Sequence, residues 1–254
     1  MTHLQADIRY LFHSGFSLET ASKYLVFDYW ENNRDPKKLR SVHEGILRPD
    51  LFPKDKQVLV FASHNHRDHF DPRTLDWAKE HPNIQYIFSS DINVKNKELR
   101  SHFMSPYETW TINDLIVKTY GSTDQGVSFL VQTDGLDIFH AGDLNMWYWY
   151  YESTPEELIE DRKKFIGEMD KMNKEHVDIA FFPVDPRLKE YGYLGGKYFI
   201  NQMKPDLFIP MHFGEDYGFI KAFERKFNSL PSKIIPIEGK GQKIVFNKPF
   251  KYYI

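Results

Sequence analysis

Short apolar blocks bounded by turn residues dominate the first half of the chain. Ile8 to Phe12 and Lys23 to Phe27 read as strands, with His13, Ser14 and Gly15 where the first one ends. Val58 to Ala62 reads as a short buried strand, followed by a helix from Pro72 to about Glu80 that starts at Asp71-Pro72. Ile84 to Phe88 is a further strand, residues 91 to 103 are weakly helical, and a short helix is expected around Pro36 to His43. Glu108 to Thr111 and Leu115 to Tyr120 flank the turn Asn113-Asp114, and Val127 to Thr133 and Leu136 to Phe139 form a hairpin across Asp134-Gly135.

The second half changes rhythm. Ser153-Thr154-Pro155-Glu156-Glu157 opens a helix that runs to about Lys174. Strands at Val177 to Val184 and Asp206 to Met211 alternate with helices at Leu194 to Met203 and Tyr217 to Phe227, and Lys233 to Ile237 and Lys243 to Phe246 close the chain as strands. No repeat, low-complexity segment or Gly/Ser linker interrupts this order. The expectation is one domain over residues 1–254, with two sheet-forming halves packed face to face under helices.

Composition narrows the class. In 254 residues, 41% hydrophobic and 16% aromatic content supplies a large core and excludes a disordered chain. Lys plus Arg total 33 against 36 Asp plus Glu, and no basic block argues for a nucleic-acid surface. Mixed runs such as Asp35-Pro36-Lys37-Lys38 read as solvated surface. The absence of cysteine removes disulfides, Cys-ligated zinc and thiol nucleophiles. The N-terminal residues carry no signal-peptide pattern, and no apolar run approaches the ~20 residues that span a bilayer. A soluble cytoplasmic protein with no membrane partner is expected.

The candidate chemistry lies at strand ends. Ser63-His64-Asn65-His66-Arg67-Asp68-His69 places three histidines and an aspartate on the loop between a strand and a helix. Alternate residues of extended backbone share a side, which aims His64 and His66 at one point, and the turn brings Asp68 and His69 to an adjacent one. Imidazole and carboxylate are zinc ligands, so this loop is half of a metal site. His140-Ala141-Gly142-Asp143 and His212-Phe213-Gly214 follow two other strands and offer the remaining donors.

Taken in order, His64-x-His66-x-Asp68-His69, Gly142-Asp143 and Pro210-Met211-His212 resemble the metallo-β-lactamase superfamily. The closer resemblance is to its ascorbate-6-phosphate lactonase-like branch. Phe12-His13-Ser14-Gly15-Phe16, Phe27-Asp28, His140 to Asp143 and Pro210 to Gly214 carry that closer match. The resemblance implies an α/β fold, an αββα four-layer sandwich with the metal site along one edge of the sheets. It also implies a pair of metal ions, for which the imidazole and carboxylate donors suggest zinc. A departure at Ser122 leaves one or two ions open and, by making the site richer in oxygen, favours manganese or iron as alternatives. His64 and His66 would hold the first ion, Asp68, His69 and His212 the second, and Asp143 would bridge. The implied activity is hydrolysis of a small ester, lactone or phosphoester by metal-activated hydroxide, with Asp68 also orienting or deprotonating the water. A metal-dependent nuclease or phosphodiesterase, and a non-catalytic metal- or ligand-binding protein, are the alternatives.

One departure stands out. Ser122 occupies the position where relatives carry a further histidine, so Asp124, His140 or water would complete the first site, or one ion alone would bind on the Asp68, His69 and His212 side. Arg187 could hold an anionic substrate group or pair with a neighbouring carboxylate. The aromatic run Trp147-Tyr148-Trp149-Tyr150-Tyr151 is either a pocket wall for a small-molecule substrate or packing surface, including the interface of a homo-oligomer.

Overall fold

Leu59, Val60, Phe61 and Ala62 are buried on both faces of their strand, which requires layers above and below it. The computed structural model, which describes residues 4–32, 41–96 and 98–248, supplies both layers. The strands are β1 (Gln5–Phe12), β2 (Gly15–Glu19), β3 (Lys23–Phe27), β4 (Gln57–Ala62), β5 (Gln85–Ser89), β6 (Ser101–Met104), β7 (Thr109–Ile112) and β8 (Leu115–Tyr120). They continue with β9 (Ser128–Thr133), β10 (Leu136–His140), β11 (Ile179–Pro183), β12 (Leu207–Met211), β13 (Lys233–Ile234) and β14 (Lys243–Asn247). Among the described residues there are three α-helices, in the same chain order: α1 (Pro155–Lys171), α2 (Leu194–Met203) and α3 (Tyr217–Phe227).

Two sheets result, ordered β14-β1-β2-β3-β4-β5-β6 and β13-β12-β11-β10-β9-β8-β7. Each joins an antiparallel part to a parallel part: β3 to β6 run parallel in the first, and β10 to β13 in the second. Between the sheets, Phe16 stacks on Phe181 at 4.1 Å, Phe27 on Phe61 at 4.7 Å, and Phe61 meets Phe129 edge-on. Outside the second sheet, α1 buries Phe165 and Met169, α2 buries Phe199 and Ile200, and α3 buries Ile220 and Phe223. Outside the first, Val58, Val60, Tyr86 and Phe88 lie under Phe52 and Trp77. This is the four-layer sandwich that the resemblance implied.

Local chemistry explains the boundaries. Thr154 and Glu157 form the capping box that starts α1. Asp134 and Gly135 both take positive φ (49° and 74°), the type I′ turn that the dipeptide favours. Several expectations change. Residues 15–19 form a strand, because Phe16 and Leu18 reach the inter-sheet core while Gly15 permits a close approach to Phe12 and Asp28 backbone. The helix expected after the metal loop is a 3-10 run, Pro72–Lys79. The segment read as weakly helical over 91 to 103 ends instead in edge strand β6, satisfied by parallel pairing with β5. Most of the helix expected over 36 to 43, and the run Asp35 to Lys38, lie outside the described residues. Among the described residues no helix is long and apolar enough to cross a membrane.

Candidate metal centre

Parallel strands end together, and six of the strands in this sandwich deliver a ligand-type side chain just past their C-terminal ends. These are His13 after β1, Asp28 after β3, His64 to His69 after β4, Asp143 after β10, Asp185 after β11 and His212 after β12. His13, Asp28 and His212 adopt positive φ (56°, 42° and 64°), a left-handed backbone that non-glycine residues adopt at a cost and that turns each side chain toward the edge.

The donors fall into two adjoining groups. His64, His66 and Asp143 form one, and His13, Asp68, His69 and His212 form the other, with ligand atoms within 4.8 Å of one another in each. His64 Nε2 and His66 Nδ1 are 2.9 Å apart. Asp143 faces both groups: Oδ2 is 3.5 Å from His64 Nε2, while Oδ1 is 3.2 Å from His69 Nε2 and 3.3 Å from His212 Nε2. Asp68 Oδ2 lies 3.3 Å from His13 Nε2.

All six residues anticipated as ligands therefore meet at one place, joined by His13. The sequence marks His13 only by its place at a strand end, in the turn Phe12 to Phe16 that carries part of the family resemblance, and gives it no ligand role. His140 is not among them. Its Nδ1 accepts the Gly142 N–H at 3.2 Å, its Nε2 donates to the Ser14 carbonyl at 2.8 Å, and its ring stacks on Phe27. Both ring nitrogens are spent on the fold. Ser122 and Asp124 stand outside both groups; the Ser122 hydroxyl accepts the Asp124 N–H, and Asp124 lines the cleft above.

Two further aspartates orient the imidazoles. Asp28, fully buried, accepts the Ser63 N–H and hydroxyl at 2.7 and 2.6 Å and pairs with His69 Nδ1 at 2.7 Å. Asp185 pairs with His212 Nδ1 at 2.9 Å. Each leaves its partner's Nε2 aimed at Asp143, the carboxylate–histidine arrangement that fixes tautomer and direction at metal sites. A lone aspartate at a strand end reads equally as a helix cap, so the sequence did not disclose these roles.

A cation fits here. His13 Nε2, His69 Nε2 and Asp143 Oδ1 are buried, converge, and have no hydrogen-bond partner among the described residues. Burial lowers the affinity of His69 for a proton, but Asp143, Asp28 and Asp68 outweigh it and raise its pKa to about 9. The same negative potential favours a divalent ion in place of that proton. Five histidines and two carboxylates without thiolate suit zinc, manganese or iron.

Over the groups lies a cleft of about 420 Å³ lined by His66, Asp68, Asp143, Trp147, Arg187 and His212, among others. The aromatic run divides: Trp147 and Trp149 line this cleft, while Tyr148, Tyr150 and Tyr151 gather around Tyr191.

Residues 7–148 match the family described as the beta-lactamase superfamily domain. The chain belongs to that superfamily. A relative from Opitutus terrae, named a UPF0173 metal-dependent hydrolase, is 26% identical over 234 residues, covering 82% of this chain and 85% of its own. Igni18, a metallo hydrolase from the archaeon Ignicoccus hospitalis, superposes with a TM-score of 0.66 at 16% identity over 96% of this chain and 100% of its own. The metallo-beta-lactamase fold protein YhfI from Bacillus subtilis gives 0.62 at 10% identity, over 96% of this chain and 100% of its own. The last two establish the superfamily fold alone.

Two predictions follow from the geometry of this superfamily member's strand ends. Gly142 has φ of 52°, and a Cβ there would lie 2.8 Å from Ser63 Cβ and 2.8 Å from the Val127 carbonyl. Gly142→Ala should cost about 1–3 kcal/mol, read by chemical denaturation. Burial opposes ionisation of Asp185, but hydrogen bonds from His212 and Arg187 win and hold it at about 2. Its folded pKa lies below its unfolded value, so its stabilisation is complete above pH ~4 and fades as pH falls toward ~2. Melting temperatures of metal-stripped protein should drop across that window, and Asp185→Asn should flatten the drop.

Proposed function

We propose that the chain is a metal-dependent hydrolase that cleaves a small ester, lactone or phosphoester. The observation that carries this reading is the shared carboxylate: Asp143 turns one oxygen to each donor group, which suits it to bridge two ions. In this reading His64, His66 and Asp143 hold one ion. His13, Asp68, His69 and His212 hold the other with Asp143, and zinc is the proposed metal. Bound divalent ions would lower the pKa of a coordinated water toward neutrality and stabilise charge on the attacked group.

The chain's own groups do the rest. Burial opposes ionisation of Asp68, but His13 and His69 pull its pKa down, so it is a carboxylate at neutral pH. At the cleft, it is placed to orient an attacking water or take its proton. Asp28 and Asp185 hold the His69 and His212 rings in place, while Trp147 and Trp149 line one wall of the cleft. The name of the Opitutus terrae relative and the resemblance to lactonase-like hydrolases support the reading.

The test is turnover of aryl esters, lactones and bis(p-nitrophenyl) phosphate by protein stripped of metal and then reloaded with zinc or manganese. Activity that disappears on stripping and returns on reloading is the expected result. Absence of turnover across the panel with every ion would contradict the proposal.

A further inference from the structure

A short motif occurs twice in this fold, and its two copies end differently. Asp71-Pro72-Arg73 follows the metal loop, and Asp185-Pro186-Arg187 follows β11. In both, the aspartate caps a 3-10 run, proline occupies the first turn, and the arginine folds back so that Nε and Nη2 grip the aspartate. That side-on fork leaves the outer Nη1/Nη2 edge of each guanidinium for a second partner.

Arg73 turns its outer edge to a second acid of the protein. Nη1 lies 3.5 Å from the Glu31 carboxylate, and Nη2 donates to the Glu31 carbonyl at 3.4 Å. Among the described residues, no acid other than Asp185 forms an ion pair with Arg187. Nη2 lies 3.4 Å from His212 Nδ1, Nη1 makes no hydrogen bond to a described residue, and the guanidinium faces the cleft over the donor groups. Its guanidinium carbon also lies 5.9 Å from the Trp147 ring centre and 5.6 Å from that of Trp149, within cation–π range. An arginine with one edge fixed by a carboxylate fork and the other turned to the cleft is a partly preorganised oxyanion receptor.

The geometry points to Arg187 as a specificity-determining residue that clamps a carboxylate or phosphate carried by the substrate near its scissile bond. The tryptophans would pack the adjoining carbon skeleton. This rests on the hydrolase reading and names the substrate class within it: an anionic ester, lactone or phosphoester. Asp68, Asp124, Asp143 and Asp161 also line the cleft, so the clamp works in the metal-loaded state, where cations offset the first and third of these.

The experiment titrates zinc-loaded full-length protein with phenylphosphonate and with benzoate, beside neutral benzyl alcohol, by calorimetry. Arg187→Gln should weaken binding of at least one anion about tenfold or more, and Arg187→Lys should recover part of that loss because it keeps the charge without the fork. The anion showing the larger loss identifies phosphate or carboxylate as the preferred group. Arg73→Gln, which removes the matching fork elsewhere, should change anion affinity less than about twofold. Anion binding that is equally tight in Arg187→Gln, or equally weakened by both glutamine variants, overturns the clamp. Turnover separates this from the parent reading. Arg187-dependent binding without hydrolysis of any ester would sink the hydrolase and leave the clamp. Hydrolysis in which Arg187→Gln penalises neutral and anionic esters alike would sink the clamp alone.

Discussion

Asp143→Ala should lower metal-dependent turnover by about a thousandfold or more, because it removes the one carboxylate that faces both donor groups. Loss of a metal ion forfeits several kcal/mol of transition-state stabilisation, and each ~1.4 kcal/mol is tenfold in rate. The fold should survive, since the Asp143 carboxylate sits at the strand edge and its Oδ1 has no hydrogen bond among the described residues. The informative comparison is therefore metal content beside melting temperature. The variant should retain fewer zinc equivalents than wild type and melt close to metal-stripped wild type. Full zinc occupancy with normal turnover would show that Asp143 is a bystander.

Asp28→Asn should do the opposite kind of damage. Asp28 takes no direct part in either donor group, yet three short hydrogen bonds converge on it from Ser63 and His69. An amide offers one acceptor oxygen where the carboxylate offers two, and its NH₂ would confront groups that already donate. Breaking a buried charged pair of this kind costs about 3–5 kcal/mol. Loosening the His69 ring should weaken metal binding about 10- to 100-fold. Chemical denaturation of the stripped protein reads the first effect and zinc titration the second. A stable variant with unchanged affinity would remove Asp28 from the account.

The parts legible in sequence share a cause. His64 to His69, Asp143 and His212 each follow a well-formed apolar strand, so periodicity placed them at strand ends and ligand chemistry marked them there. His13 lay equally at a strand end, but its participation depends on a left-handed backbone and on the two sheets meeting. The His212 N–H donates to the His13 carbonyl at 3.1 Å across that junction, a contact 199 positions apart in the chain that no local pattern encodes. His140 shows the converse. It has the right residue type at the right place, yet a carbonyl and an N–H from the surrounding backbone consume both its nitrogens. Strand β2 and edge strand β6 were missed because each is short and takes its stability from neighbours already in the sheet. Ser122 lies outside the first donor group, yet His64, His66 and Asp143 in that group are three candidate donors, the number of protein ligands that catalytic zinc sites use.

Those three donors, beside the second group, underlie the proposal that these strand ends build a two-ion centre. The most direct test is elemental analysis of wild-type protein reconstituted with zinc and freed of excess metal, run beside His64→Ala and His13→Ala. The account predicts two equivalents in wild type, about one in His64→Ala, and a weakened but separable second ion in His13→Ala. Zero or one equivalent in wild type, or two equivalents in all three proteins, would contradict it.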